Sequence, residues 1–164
     1  MNYELNLISS RLSNLNVKIT PPLVDIHEAI DARRGQHHST RIIAILESDS
    51  ILTEFDKILG VTSVDLYNPS PRVDGKGFVF GEARFPGRCG IVSTFRLSAL
   101  TQSSEIVDSR VKKEVLHELG HMVGLGHCTS PGCVMYPSAD VGDTDAKTDD
   151  YCDECNRILK ELNH

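Results

Sequence analysis

Long hydrophobic runs are missing from this sequence. Uncharged apolar stretches, such as residues 42–46, fall far short of the roughly 20 residues that a helix needs to cross a bilayer. Residues 1–8 contain Glu4 and alternate polar with apolar side chains, so they have neither the basic start nor the apolar core of a secretion signal. We therefore expect no membrane partner and predict a cytoplasmic location.

Clusters of basic residues are also missing. The net charge is −6, and it arises in the C-terminal part of the chain. Residues 1–100 carry 11 Lys and Arg against 11 Asp and Glu, whereas residues 101–164 carry 6 against 12. A surface that binds nucleic acid needs grouped Lys and Arg to displace the counterions of the phosphates. We therefore do not expect nucleic acid as a partner.

The composition that remains is typical of one globular domain. The chain has 164 residues, of which 40% are hydrophobic and 24% are charged, and this suffices for a single hydrophobic core. Five cysteines in a cytoplasmic chain argue against a disulfide framework, because the cytosol keeps thiols reduced. Four of them lie within the last 37 residues, and this grouping suggests a metal site.

The spacing of apolar residues predicts an α/β fold. Alternation over residues 3–7 indicates a first strand, and Ser39 or Thr40 is a suitable N-cap for a helix over 41–47. Further predicted segments are a helix over 10–16, a strand from Val17, a buried strand over 57–65, a loop over 68–77, and strands over 78–83 and 90–97. Together they predict a small twisted mixed sheet with helices packed against it.

A long helix is predicted after Ser104, and a loop rich in Gly, Asp and Cys separates it from a short helix over 155–162. The apolar residues that recur every three or four positions in the long helix are Val107, Val111, Val115, Leu119 and Met122. The pattern ends at Gly124. No repeat and no linker divides the chain, so a single domain is expected.

A metal-binding motif lies within the long helix. His117, Glu118 and His121 belong to the sequence His-Glu-Leu-Gly-His, which continues to Gly124 and His127 and matches a known zinc-protease pattern. Two histidines four residues apart lie on one helix face about 5 to 6 Å apart, so both rings can reach the same ion. Glu118 borders that face.

The third histidine requires the helix to end. In a continuous helix, His127 would lie about 9 Å beyond His121 along the axis, out of reach of the ion. Gly124 can adopt the left-handed conformation that ends a helix and reverses the chain. Three neutral imidazoles leave one position of a tetrahedral zinc ion open for water, as in a catalytic site. The alternative is a chance motif on an amphipathic helix, which Gly124 and His127 make the poorer interpretation.

Two pairs of cysteines form a second motif. Cys128 and Cys133 are followed by Cys152 and Cys155, and four thiolates at such spacings can hold a structural zinc ion. Buried reduced cysteines are one alternative, and a thioredoxin-like role for the second pair is another, although no βαβ pattern precedes it. Cys89 is expected to be a core residue. Because Cys128 follows His127 directly, a metal on the cysteines would also fix the backbone that carries the third imidazole.

With these motifs the sequence resembles the archaemetzincins, a branch of the metzincin clan of metallopeptidases. The matching stretches are 34–36 with Ser39 and Thr40, 59–62, 64–67, 78–83 and the run from His117 to Cys155. The most specific feature is the union of the long histidine motif with Cys128, Cys133, Met135 and the later cysteine pair. The resemblance covers nearly the whole chain and implies a metzincin-like fold with an active-site helix and a C-terminal helix.

The resemblance also implies a role for each motif. The implied set is His117, His121 and His127 as ligands of a catalytic zinc, Glu118 as general base, Met135 in the Met-turn below the site, and Cys128, Cys133, Cys152 and Cys155 as ligands of a structural zinc. A single catalytic domain over 1–164 is implied, with an N-terminal subdomain (1–124) and a short C-terminal subdomain (125–164). The zinc cleft would lie between them.

The predicted function is that of a zinc metallopeptidase with two zinc ions per chain. Glu118 accepts a proton from water in this hypothesis, and the strand over 78–83 pairs with an extended peptide if it forms the sheet edge. We expect no prosegment ahead of the first strand, and therefore a narrow cleft that admits only short peptides. A monomer is the expected oligomeric state. The alternative is a zinc-stabilised peptide- or protein-binding module with little or no hydrolytic activity.

Overall fold

The computed structural model describes residues 24–48, 55–70 and 77–162. The predicted strand over 3–7, the helix over 10–16 and the strand from Val17 lie outside the described residues. The described strands are β1 (Ile30–Asp31), β2 (Gln36–His38), β3 (Ile58–Thr62), β4 (Leu66–Tyr67), β5 (Gly81–Ala83) and β6 (Cys89–Ser93). The described helices are a 3-10 helix (His27–Ala29), α1 (Ser39–Ser48), α2 (Thr94–Leu97), α3 (Ser104–Val123), α4 (Val141–Ala146) and α5 (Asp153–Leu162).

The strands form two small sheets. In the first, β6 is central, with β3 parallel to it on one side and β5 antiparallel on the other. In the second, β2 pairs with β1 antiparallel and with β4 parallel. A single bridge between Leu66 and Val79 links the second sheet to the segment before β5. The predicted mixed α and β architecture is confirmed, and β5 lies at an edge of its sheet.

Strand β6 is buried along its whole length because helices cover both faces of its sheet. Ile91 packs with Ile42 and Ile43 of α1, whereas Val92 packs with Leu116 of α3 and its neighbours. Successive side chains of a strand point to opposite faces, so adjacent residues of β6 belong to two different cores. This explains why the sequence of β6 lacks polar alternation.

Helix α3 ends where the sequence predicts, and it begins one residue earlier than predicted, at Ser104. Ser103 is its N-cap, and the Ser103 hydroxyl accepts a hydrogen bond from the backbone N–H of Ile106. Gly124 is the C-cap with φ of 108°, a left-handed conformation that other residues rarely adopt. The predicted C-terminal helix is also present as α5. None of the helices among the described residues is long and apolar enough to span a bilayer.

The prediction of a strand over 90–97 was wrong beyond Ser93. The Ser93 hydroxyl accepts a hydrogen bond from the N–H of Phe95 and so caps helix α2. The apolar residues on either side of Ser93 do not alternate, so periodicity gives no sign of the change from strand to helix. The loop predicted between the long and C-terminal helices likewise contains α4, which Asp140 caps by accepting from two backbone N–H groups.

Two predicted strands are shorter than expected. Strand β3 covers Ile58–Thr62, and it is only partly buried, with Val61 57% exposed, so the prediction of a buried strand over 57–65 was wrong. Strand β5 begins at Gly81, three residues later than predicted. In both cases tertiary packing limits the number of residues that find a partner strand, and local propensity does not register this limit.

Candidate metal centres and active-site cleft

The structure brings the rings of His117 and His121 together on one face of α3. Their Nε2 atoms lie 3.1 Å apart. Each histidine donates from Nδ1 to a backbone carbonyl oxygen at 2.8 Å, His117 to Val134 and His121 to Leu125. A carbonyl oxygen can only accept a hydrogen bond, so each Nδ1 carries the proton and each Nε2 presents a lone pair. The backbone therefore fixes the tautomer that a metal ligand requires.

His127 reaches the same point from the chain that follows the helix. The N–H of Leu125 donates to the Gly120 carbonyl oxygen at 2.8 Å, which closes the left-handed turn at Gly124. The ring centre of His127 then lies 5.3 Å from that of His117 and 4.8 Å from that of His121. One ring nitrogen from each of the three histidines lies within 4.8 Å of the others.

The three imidazoles suit a divalent cation. Burial lowers the pKa of His117 well below its ordinary value, and it also lowers the pKa of His121 and His127. The rings are therefore neutral at neutral pH, so the two Nε2 lone pairs that face each other at 3.1 Å have no proton between them. Such lone pairs repel unless a cation lies between them. This donor set fits zinc, for which neutral imidazole nitrogen is a preferred ligand.

Glu118 lies beside the histidines as a buried carboxylate. Burial raises its pKa well above the ordinary value, and the negative charges of Glu114 and Glu82 add to this effect. The side chain lies directly over Gly81 of β5: a Cβ atom at that position would be 2.7 Å from Glu118 Oε1 and 2.8 Å from its Cγ. Gly81 is therefore a site residue that sequence reasoning missed.

Met135 packs under the histidine helix. A Cβ atom at position 120 would overlap with the Met135 sulfur, so Gly120 is required for this close contact. Met135 is completely buried, and the preceding residue, Val134, supplies the carbonyl that orients His117. The segment therefore contacts the site from below through packing and through one hydrogen bond. Sequence reasoning included Gly120 in the motif and assigned it no role.

The four clustered cysteines also come together. The Sγ atoms of Cys128 and Cys152 are 3.7 Å apart, as are those of Cys133 and Cys155, and all four lie within 4.8 Å of one another. A disulfide has an S–S distance near 2.05 Å, whereas a zinc ion with four Zn–S bonds near 2.3 Å has sulfur–sulfur edges of about 3.8 Å. The cluster therefore fits a structural zinc.

This geometry also bears on the alternatives for the cysteines. In a thioredoxin-like motif, Cys152 and Cys155 would pair with each other. Here the closest sulfur of Cys152 is that of Cys128, and the closest sulfur of Cys155 is that of Cys133. A hydrogen bond from the backbone N–H of Cys155 lowers the pKa of Cys152 and favours its thiolate. The N–H of Cys128 donates to the Met135 carbonyl oxygen at 2.9 Å, which links the cluster to the floor of the histidine site. Cys89 is a fully buried core residue, as predicted.

A cleft of about 470 Å³ opens over the histidines. Strand β5 forms one wall, the segment 137–139 forms part of the opposite side, and Phe85 stands at the rim with its ring edge-on to His121. The cleft also contains Glu114, whose carboxylate lies 2.9 Å from the ammonium group of Lys147. Both side chains of this ion pair are buried, and sequence reasoning gave no indication of it.

The open edge of β5 faces the cleft. Phe80 and Arg84 make backbone hydrogen bonds to β6. Alternate residues of a strand use the same edge, so Gly81 and Ala83 direct their N–H and C=O groups away from β6. At Val79 this outer edge pairs with β4 through a hydrogen bond to Leu66. The two backbone positions at 81 and 83 therefore remain available to an extended ligand strand.

Comparisons with known proteins agree with this geometry. The model of peptidase family M54 matches residues 14–161. The archaemetzincin of Methanopyrus kandleri is 39% identical over 153 residues, covering 93% of this chain and 82% of the relative, and that of Archaeoglobus fulgidus is 37% identical over 145 residues, covering 88% and 82%. The crystal structure of the Methanopyrus kandleri archaemetzincin superposes with a TM-score of 0.84 at 36% identity, covering 99% of this chain and 84% of that one.

A further crystal structure, of a zinc-dependent peptidase from Methanocorpusculum labreanum, superposes with a TM-score of 0.74 at 29% identity, covering 96% of this chain and 91% of that one. The α and β architecture, the gathered histidines and these relatives define a zinc metallopeptidase. Within that class, the chain belongs to peptidase family M54, the archaemetzincins.

Proposed function

We propose that this protein hydrolyses peptide bonds at the three-histidine site, with Glu118 as the general base. The observation that carries the proposal is a buried carboxylate beside three neutral imidazoles that line an open cleft. His117, His121 and His127 would hold the catalytic zinc. When bound, a zinc ion with an open coordination position supplies a Lewis acid that acidifies water and polarises a carbonyl group.

Glu118 moves the proton in this mechanism. Its carboxylate accepts a proton from the attacking water and returns it to the nitrogen of the leaving amine. A base is most effective when its pKa is close to the working pH, and burial raises the pKa of Glu118 in that direction. Because Gly81 has no side chain, the Glu118 carboxylate can lie directly against the backbone of β5.

Strand β5 would align the substrate. An extended peptide can add to its open edge through the backbone groups of Gly81 and Ala83, which places a carbonyl of the peptide across the histidine site. Since Val79 already pairs with β4, the available edge is short, and this supports short peptides or chain ends as substrates. The cleft would separate an N-terminal subdomain (1–124) from a C-terminal one (125–164).

The second zinc has a structural role in this proposal. Cys128, Cys133, Cys152 and Cys155 would bind it, giving two zinc ions per chain. The metal would tie the loop after α3 to the start of α5, and its binding free energy would add to the stability of this segment. It would also hold the backbone at Cys128, next to His127.

The test compares wild type with Glu118→Ala and Glu118→Gln on a broad peptide library, with zinc content measured for each. We expect both substitutions to abolish cleavage while two zinc ions remain bound. Glu154→Gln, on the exposed face of α5, is the matched control and should cleave like wild type. Equal inertness of wild type and both Glu118 variants, with zinc bound, would instead support a zinc-stabilised binding module.

A further inference from the structure

Glu114 is a buried carboxylate in the cleft that the proposed hydrolysis does not use. It lies one helical turn before Glu118, so the two side chains project from the same face of α3. The Glu114 side chain is 4% exposed, and it lines the cleft together with His117 and the segment 137–139. A peptide lying across the histidine site would therefore pass beside it.

The two oxygen atoms of Glu114 have different surroundings. The Lys147 ammonium lies 2.9 Å from Oε1, and the hydroxyl groups of Ser138 and Thr144 also donate to Oε1, at 3.4 Å each. Among the described residues, both hydrogen bonds of this carboxylate and its shortest contact with Lys147 involve Oε1. The second oxygen, Oε2, is therefore left to accept hydrogen bonds from a ligand.

Lys147 holds Glu114 in this arrangement. Its side chain is completely buried, and its ammonium also donates to the backbone carbonyl oxygen of Tyr136 at 3.2 Å. The ion pair therefore joins α3 to the segment that follows Met135. This segment forms one side of the cleft. A buried carboxylate that is anchored through one oxygen cannot rotate away from the cleft without leaving Lys147 as an unpaired buried charge.

The chemistry of Oε2 favours one kind of ligand group. An apolar group placed against it would displace water and leave a buried acceptor without a donor, which is unfavourable. A cationic N–H donor would instead form a charge-assisted hydrogen bond, about twice as strong as a neutral one. The lining of the cleft favours cations as well, because its carboxylates, those of Glu82, Glu114 and Glu118, are not matched by any lysine or arginine among the described residues that line it.

We propose that Glu114 recognises a cationic nitrogen of the peptide substrate through Oε2. The cation is a guanidinium or ammonium group, carried either by an Arg or Lys side chain or by the amino terminus of the peptide. This inference rests on the proposed function, because it takes a peptide as the ligand of the cleft. Glu114 is the specificity-determining residue, and Lys147 is the residue that positions it.

The test measures peptide binding to the Glu118→Gln protein loaded with zinc, so that no peptide is cleaved. Fluorescent peptides carry Arg or the uncharged isostere citrulline, singly at each position, with a free or an acetylated amino terminus. We expect one Arg position, or the free terminus, to strengthen binding by about tenfold or more. The position that responds distinguishes a side chain from the amino terminus as the source of the cation.

The same peptides are then tested on protein that also carries Glu114→Gln with Lys147→Met, which removes both charges of the pair. The preference for the cation should disappear there, whereas Glu154→Gln on the exposed face of α5 should leave it unchanged. Glu114→Asp keeps the negative charge while withdrawing the carboxylate by one methylene group, and it should reduce the preference. Zinc content and thermal unfolding of each variant establish that it is folded.

Two results would overturn the inference. One is that the Glu118→Gln protein shows no preference for a cationic peptide. This result does not depend on whether any Glu114 variant folds. The other is a preference that persists after the charges of Glu114 and Lys147 are removed. If instead the preference is found but the wild-type protein cleaves no peptide, the recognition by Glu114 stands and only the proposed hydrolysis fails.

Discussion

The substitution Gly81→Ala tests whether the edge strand sets the position of the general base. The new Cβ atom would lie 2.7 Å from Glu118 Oε1, 2.8 Å from Glu118 Cγ and 2.8 Å from the carbonyl oxygen of Ile91. Ordinary contacts of a Cβ atom begin at 3.4 Å. The Glu118 carboxylate must therefore retreat by about 0.7 Å, and the contact with the Ile91 carbonyl oxygen requires β5 to shift against β6 as well.

The expected effect on catalysis is large for so small a change. A displacement of about 1 Å of a catalytic group costs on the order of a hundredfold in rate. We therefore expect kcat of Gly81→Ala to fall by about 10- to 100-fold. The zinc content should stay at the wild-type value, because the three atoms nearest to this Cβ atom belong to Glu118 and Ile91 and not to a histidine. Crowding in a packed interior destabilises by about 1 to 3 kcal/mol, so the protein should remain folded.

The assay measures steady-state cleavage of a fluorogenic peptide, chosen from the substrates that the peptide library identifies. Zinc content and chemical unfolding are measured on the same protein. Gly132→Ala is the matched control, because a Cβ atom there has no neighbour within 4 Å and φ is not positive. Wild-type kcat in zinc-loaded Gly81→Ala would refute the reasoning that the glycine makes room for Glu118.

Three further predictions concern the metals and stability. Cys152→Ser should remove the zinc of the cysteine cluster and, by loosening the backbone next to His127, weaken zinc binding at the histidines, as measured by competition with a chelator; undiminished affinity would contradict this coupling. Gly124→Val places a β-branched residue at φ of 108° and should lower the unfolding free energy by about 1 to 3 kcal/mol, with loss of histidine-bound zinc; unchanged stability would show that the turn is not required. The hydrogen bonds from Arg110 hold the pKa of Asp145 below its ordinary 3.8, so this pair stabilises the fold above that pKa and the stabilisation is lost as the pH falls through the lowered value. Unfolding titrations between about pH 6 and 2.5 should therefore show a shallower acid loss in Asp145→Asn than in wild type, and identical curves would contradict the prediction.

The histidine and cysteine motifs were readable from the sequence because their geometry is local. The helix repeat places His117 and His121 on one face, and Gly124 indicates the helix end after which the chain brings His127 back to them. The mixed α and β fold and the family were also predicted from the sequence, and both predictions are confirmed. The ligand roles of these residues and the action of Glu118 stay predictions.

Other parts of the site arise from packing between distant segments and had no local signal. Gly81 matters only because α3 crosses β5 at Glu118, and Glu114 meets Lys147 across 33 positions of the sequence. Neither residue belongs to a motif. The strand predicted over 90–97 was wrong for a related reason: the Ser93 cap ends the strand and starts α2, and the apolar residues on either side look alike in sequence.

The most direct test of the two proposed zinc sites is anomalous diffraction at the zinc edge from crystals of the zinc-loaded protein. The account predicts two peaks per chain. One should lie about 2.0 to 2.1 Å from a ring nitrogen of each of His117, His121 and His127, and the other about 2.3 Å from the four cysteine sulfurs. A peak at the cysteines alone, with the ring of His127 turned away from the other two, would contradict the account.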